Sequence, residues 1–189
     1  MVFLNLKNKI IFFLAVGISV ISLVLLVAKL TDFEQLESAT VNPNNGDLSA
    51  VYIDSERDGI CIVSYDCHGN KLYGKFVYSK GGSARLAYED DLLYVYVYRT
   101  NSILIYDRDG TRIMEISENR LTEDQKKQMN LDAWEHWSKN FGTYTYQSEA
   151  LGLKYVYKEE TSVFKNSKCV LYIEDSNGEQ IICYHDNWE

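Results

Sequence analysis

The chain has 189 residues, enough for one folded domain with an appendage, and its 46% apolar content is that of a globular protein rather than a disordered one. A formal net charge of −8, with no basic stripe, repels phosphate backbones and excludes nucleic acid as a partner. Tyr is over-used at 15 copies while Pro occurs once, and Tyr suits a pleated, half-buried surface, so the composition favours strands.

In chain order, a short polar tail (residues 1–9) precedes an uncharged run of 19 residues, Ile10 to Ala28. At about 1.5 Å per residue the run spans roughly 28 Å as a helix, close to the roughly 30 Å hydrocarbon core of a bilayer. Ser19 and Ser22 can bond back to helix carbonyls and do not spoil the span. A cleaved signal peptide competes with this reading. Its apolar region would normally be about 7–15 residues. No small-x-small site follows Ala28, and no Cys lies near the end of the run to mark a lipoprotein signal. An uncleaved signal anchor over residues 10–29 is the expectation, with the lipid bilayer as partner through Ile10–Ala28. Lys7 and Lys9 precede the span and Lys29 follows it, with no further Lys or Arg until Arg57. The positive-inside bias then keeps the N-terminus cytoplasmic and sends the remainder, which holds all 27 acids, outside.

Residues 30–48 read as a polar tether holding the single Pro, Pro43, in the turn-forming run "NPNNGD". "DFEQLESA" within it could continue the membrane helix. From Ser49 to Glu189 the pattern is alternation, and three segments share one shape: "IVSYDCHGNKLYG", "LIYDRDGTRIME" and "YIEDSNGEQIIC". Each is an apolar strand, D-x-x-G, then another strand, aligned on Asp66, Asp107 and Asp175. Gly at the fourth position supplies a positive φ and Asp at the first bonds forward to backbone amides, which predicts a hairpin turn. A calcium loop of the EF type needs Gly at its sixth position; here Gly110 is fourth, with Arg108 and Arg112 inside.

"LAYEDDLLYVYVYRTNSILIYDRDGTRI", residues 86–113, resembles a blade of the NHL-type β-propellers: a small apolar start, the "EDD" turn, "LLYV", a turn at Asn101, then "ILIYD-x-DG". As a whole the chain resembles a bacterial single-pass membrane protein. The blade resemblance implies four-stranded antiparallel units. The roughly 140 residues of the body suffice for about three, whereas closed propellers have about 4–8. The expected fold is therefore mainly β: a transmembrane helix followed by an antiparallel meander of blade-like hairpins, forming an open twisted sheet, with one inserted helix.

That helix is predicted over residues 122–140. Thr122 and Gln125 fit a capping box, and Glu123 and Asp124 suit the positive end of the helix dipole. Met129, Ala133, Trp137 and Phe141 recur four apart on one stripe, widened by Trp134, which should lie across the sheet. In Leu92–Tyr98, Leu93, Val95 and Val97 point one way and form the core face. Tyr94, Tyr96 and Tyr98 point the other way, either packed under the two Trp or partly exposed.

Chemistry-bearing residues are sparse. Cys61, Cys67, Cys169 and Cys183 would lie outside the membrane, where disulfides are permitted. Cys169 and Cys183 flank the third hairpin and would sit opposite each other across a three-residue loop, or on opposite faces across a four-residue one; free buried thiols are the alternative. His68, His136 and His185 are scattered without zinc-like spacing, so neither metal nor cofactor is expected. "GGSAR" lacks the second Gly of G-x-S-x-G, and Glu135–His136 has no second group to position it. The sequence thus predicts a membrane-tethered, non-enzymatic binding or protein-interaction module. A glycan-binding module or cell-wall hydrolase with paired carboxylates is the alternative. Tyr94, Tyr96, Tyr98, Trp134 and Trp137 are the candidate contact residues of either, and their exposure separates the two.

Overall fold

The computed structural model describes the backbone of residues 36–189, apart from 130, 133, 135, 163, 164 and 186–189. The Ile10–Ala28 run and its flanks lie outside the described residues. Among the described residues no helix is long and apolar enough to cross a membrane.

The chain is mainly β, as its composition indicates. Among the described residues thirteen strands form three antiparallel sheets. The first sheet holds β1 (Leu36–Val41), β2 (Leu48–Asp54), β3 (Gly59–Tyr65) and β4 (Lys71–Tyr78) in sequence order. The second holds β5 (Ala84–Glu89), β6 (Leu92–Val97), β7 (Ser102–Tyr106) and β8 (Arg112–Ile116), again in sequence order. After a 3₁₀ turn (Glu118–Arg120) and a short helix α1 (Glu123–Met129) comes the third sheet. It holds β9 (Ser138–Asn140), β10 (Thr143–Ser148), β11 (Leu153–Ser162), β12 (Lys165–Glu174) and β13 (Gln180–His185).

Three separate meanders replace the expected single open sheet, and the reason lies in β2 and β3. "ICIVSY" is buried at every position. Its odd-numbered residues Cys61, Val63 and Tyr65 join Leu48, Ala50 and Tyr52 in a core shared with Tyr155, Tyr157, Leu171 and Ile173 of the third sheet. Its even-numbered residues Ile60 and Ile62 join Val51 in a core shared with Leu86, Leu93, Val95 and Leu104 of the second. The first sheet is thus sandwiched between the other two, and a strand buried on both faces must be apolar throughout. Within the second core a buried polar chain, Ser64 Oγ to Ser49 Oγ to Tyr88 Oη, satisfies three hydroxyls.

The tether expected over residues 30–48 is, from Leu36 on, structure. Leu36, Ala39 and Val41 of β1 are buried, and "NPNNGD" makes the tight turn into β2. Asn42 Oδ1 accepts from the Asn44 amide, and Asn45 Oδ1 accepts from the Asp47 amide. The polar content of this segment, taken for a linker, is turn chemistry.

The three D-x-x-G segments close the hairpins β3–β4, β7–β8 and β12–β13 with one geometry. Each Asp side chain accepts from the amides two and four residues on: His68 and Asn70, Asp109 and Thr111, Asn177 and Glu179. Gly69, Gly110 and Gly178 have φ of 77°, 77° and 80°.

The helix is shorter than predicted. Its capping box forms, with the Gln125 amide donating to Thr122 Oγ1 and Gln125 Oε1 accepting from the Thr122 amide. It ends at Met129, however, and the aromatic stripe does not ride on it. Asp132 Oδ1 captures the Trp134 amide, offering the backbone a local partner in place of a helical one. Beyond it Phe141 and Gly142, both at positive φ, turn β9 back onto β10. Phe141, expected on the buried stripe, is fully exposed.

Candidate functional site

The first long strand of each sheet borders a shared cavity of about 460 Å³. Ala39, Thr40 and Pro43 line it from β1 and its turn, Arg85 and Ala87 from β5, and His136, Trp137 and Tyr146 from the third sheet and its approach. Small side chains at 39 and 87 leave the space, and aromatic rings wall it.

Trp137 is nearly buried, and its indole N–H donates to the Ala39 carbonyl oxygen at 3.0 Å, anchoring the 132–137 segment to the first sheet. Trp134 packs edge-on against Trp137 with ring centres 5.4 Å apart, and stacks on Tyr157 at 5.3 Å.

Arg85 is 4% exposed, an unusual burial for a guanidinium. Its Nη1 donates to the Gln128 carbonyl oxygen at 2.5 Å, and its plane lies over the Tyr96 ring with a 5.6 Å separation from the ring centre. The carbonyls of a helix's last turn lack partners within the helix, and a cation is favoured at that end. Arg85 therefore ties the end of α1 to β5. Burial, then the Glu89 carboxylate, pushes the Tyr96 phenol well above its ordinary pKa; burial also raises the Tyr98 phenol. Burial also raises the Glu37 carboxyl. Asp132 and His136 are exposed at the cavity and give its mouth polar character.

The structure divides the five residues predicted to form one contact surface. Tyr94, Tyr96 and Tyr98 lie on the face of the second sheet turned away from the first, packed with Ile103, Ile105 and Leu121; Tyr96 is 1% exposed. Trp134 and Trp137 belong instead to the core between the first and third sheets. The aliphatic face of β6 packs as expected, against the first sheet. The five aromatics thus lie on two separate faces, with Tyr94, Tyr98 and Trp134 only half-buried.

The Cys169–Cys183 bridge is not formed; none of the four cysteines is in a disulfide. The hairpin between them has a five-residue loop, residues 175–179, and the register shifts again at Leu171/Tyr172, so the two positions are not opposed. The Tyr157 hydroxyl donates instead to Cys169 Sγ at 3.1 Å. Among the described residues no three His, Cys, Asp or Glu side chains are placed to hold a metal ion.

Sequence reasoning missed Arg85, set aside as part of a failed nucleophile motif. Its signal was a lone cation inside the alternating run "ARLAY", where a charge on a core strand needs a specific acceptor. A second hollow, about 650 Å³, runs between β4 and β7–β8 beside the exposed Phe76 and Tyr78. No protein-family model, curated protein or solved structure matches the chain.

Proposed function

We propose that this chain is a membrane-anchored binding module, held in the bilayer by Ile10–Ala28, that presents the cavity between its sheets to a protein partner outside the membrane. The observation that carries the reading is the cavity itself: strands from all three sheets converge on it, as propeller blades converge on an axis. The stretch that resembles an NHL blade, residues 86–113, falls within the second sheet alone, and the other two sheets repeat its strand order. The reading is of a partial, three-bladed propeller. Its cavity wall joins a buried cation, two rings and an exposed Asp–His mouth, a set suited to recognition rather than turnover.

The test uses the full-length chain in its own membrane. A photo-reactive residue replacing His136, at the cavity, is compared with one replacing Asp109, on the β7–β8 turn. A discrete protein adduct from position 136 and none from 109 supports the reading; equal adducts, or none from 136, sink it. The topology is checked separately with D109C, whose thiol should react with an impermeant maleimide on intact cells.

A further inference from the structure

Three of the four cysteines belong to or border the core between the first and third sheets. Cys61 is part of that core, and Cys169 and Cys183 pack against it. Cys67 sits on the β3–β4 turn, which lies against β13. Two close approaches fix this placement. A methyl built on Gly69, two residues from Cys67, would lie 2.3 Å from Ile181 Cγ2 and 3.7 Å from Cys183 Sγ, so the turn rests directly on β13. A methyl built on Gly46 would lie 3.0 Å from Cys67 Cβ and 2.7 Å from the Tyr155 hydroxyl, which itself donates to the Gly46 carbonyl at 2.8 Å. Cys67 thus lies beside the end of the Tyr155 side chain, and Cys183 lies against the same β3–β4 turn, at Gly69, two residues on from Cys67. Among the described residues no backbone ladder joins these two sheets; side-chain packing and side-chain bonds to carbonyls, such as Tyr155 to Gly46, hold them.

We propose that Cys67 and Cys183 are a redox pair, which a disulfide-bearing oxidant of the glutathione class converts into an inter-sheet disulfide that staples β13 to the β3–β4 turn. Cys67, the partner on the turn, reacts first. Its thiolate attacks the oxidant's disulfide, forming a mixed disulfide and releasing one glutathione thiolate. The Cys183 thiolate then attacks the Cys67 sulfur, the protein S–S bond forms, and the second glutathione thiolate leaves. The two protons lost by the protein thiols end on the two glutathione thiolates, and two electrons pass to the oxidant. Burial, and after it the Asp66 carboxylate, pushes the Cys183 thiol up to about 12, so closure is the slow step and quickens as pH rises. The hairpin-flanking pair Cys169–Cys183 is not opposed in register, and Cys61 lies at the other end of β3 beside Asp54 and Arg57.

The full-length chain in detergent is exposed to oxidised glutathione, quenched in acid, alkylated and digested for mass spectrometry. The expected result is a Cys67–Cys183 cross-linked peptide as the dominant disulfide, with both thiols restored by dithiothreitol. C67S and C183S should each abolish it, while C61S and C169S leave it intact. In urea the pairing should scramble. A stable glutathione adduct on Cys67 with Cys183 still alkylatable would overturn the proposal, as would a dominant bridge from Cys183 to Cys61 or Cys169, or four unreacted thiols in the folded chain.

Discussion

The indole N–H of Trp137 and the carbonyl oxygen of Ala39 meet at 3.0 Å across 98 residues of sequence, and both are buried. This bond joins the segment entering the third sheet to the first strand of the first, at the wall of the cavity. W137F keeps most of the ring and removes the donor, leaving a buried carbonyl with one partner fewer. It should cost about 1–2 kcal/mol. W137A adds the loss of packing against Trp134 and Tyr146 and should cost about 3–5 kcal/mol. Urea denaturation of the full chain in detergent measures both; a W137F variant as stable as wild type would show that the hydrogen bond contributes nothing, and equal losses for the two variants would show that the ring packing adds nothing beyond it.

The three D-x-x-G turns share backbone geometry and differ in surroundings, which separates strain from crowding. A methyl on Gly178 meets nothing within 4 Å, so G178A carries only the left-handed backbone penalty, about 1–2 kcal/mol. A methyl on Gly110, at a similar φ of 77°, would lie 2.5 Å from the Tyr73 ring. G110A should therefore lose about 1–3 kcal/mol beyond that. Denaturation midpoints in the order wild type, G178A, G110A are expected; the reverse order of the two variants would contradict the packing of Tyr73 on this turn.

These turns were legible in sequence because each Asp and Gly has one local task that needs no distant partner. The course of residues 130–142 was not. Met129, Ala133, Trp137 and Phe141 fit a helical stripe, but what decides the segment is non-local: the Ala39 carbonyl for Trp137 and the Tyr144 and Tyr157 rings for Trp134. The β9–β10 turn was hidden further by Phe141 at a φ of 44°, where sequence rules look for Gly or Asn. The division into three sheets was hidden in the same way. Alternation in "ICIVSY" shows which residues share a face, and nothing local shows that both faces are covered. For the site, the predicted aromatics are where cores meet, whereas the cavity depends on small residues, Ala39 and Ala87, that carry no chemical signal.

Acid should destabilise the fold. Burial raises the Asp54 carboxyl, but hydrogen bonds and charge from Arg57 outweigh it and hold the pKa below the ordinary value. Asp66 behaves alike, with burial outweighed by bonds from Asn70 and His68. In Asp175 the Glu179 amide leads in lowering it. A lowered folded pKa means stability that is whole above the unfolded value, near 4, and is lost as pH falls through the folded one. Glu37, raised by burial, has the opposite sign: its contribution is present below its unfolded pKa and is lost as pH rises through the folded one. Urea midpoints between pH 6 and pH 3 should fall, D66N should flatten the fall, and E37Q should steepen it. An unchanged slope in D66N would remove the turn carboxylates from the account.

Asp47 is 2% exposed and receives two bonds from Arg108, at 2.7 Å from Nε and 3.1 Å from Nη2. The carboxylate sits on the β1–β2 turn and the cation on the β7–β8 turn, so the pair links the first and second sheets at one end. Arg108 is more than half exposed, and water can replace part of what it gives, which places R108A near the lower range for an unsatisfied buried charge, about 1–3 kcal/mol. If the loss arises from the stranded carboxylate, removing that charge should restore stability. D47N/R108A should then be more stable than R108A alone, by about 1 kcal/mol or more. A double variant weaker than R108A would mean that Asp47 acts through its turn amides rather than through the pair. The four denaturation curves of the cycle, taken at one ionic strength, decide between the two.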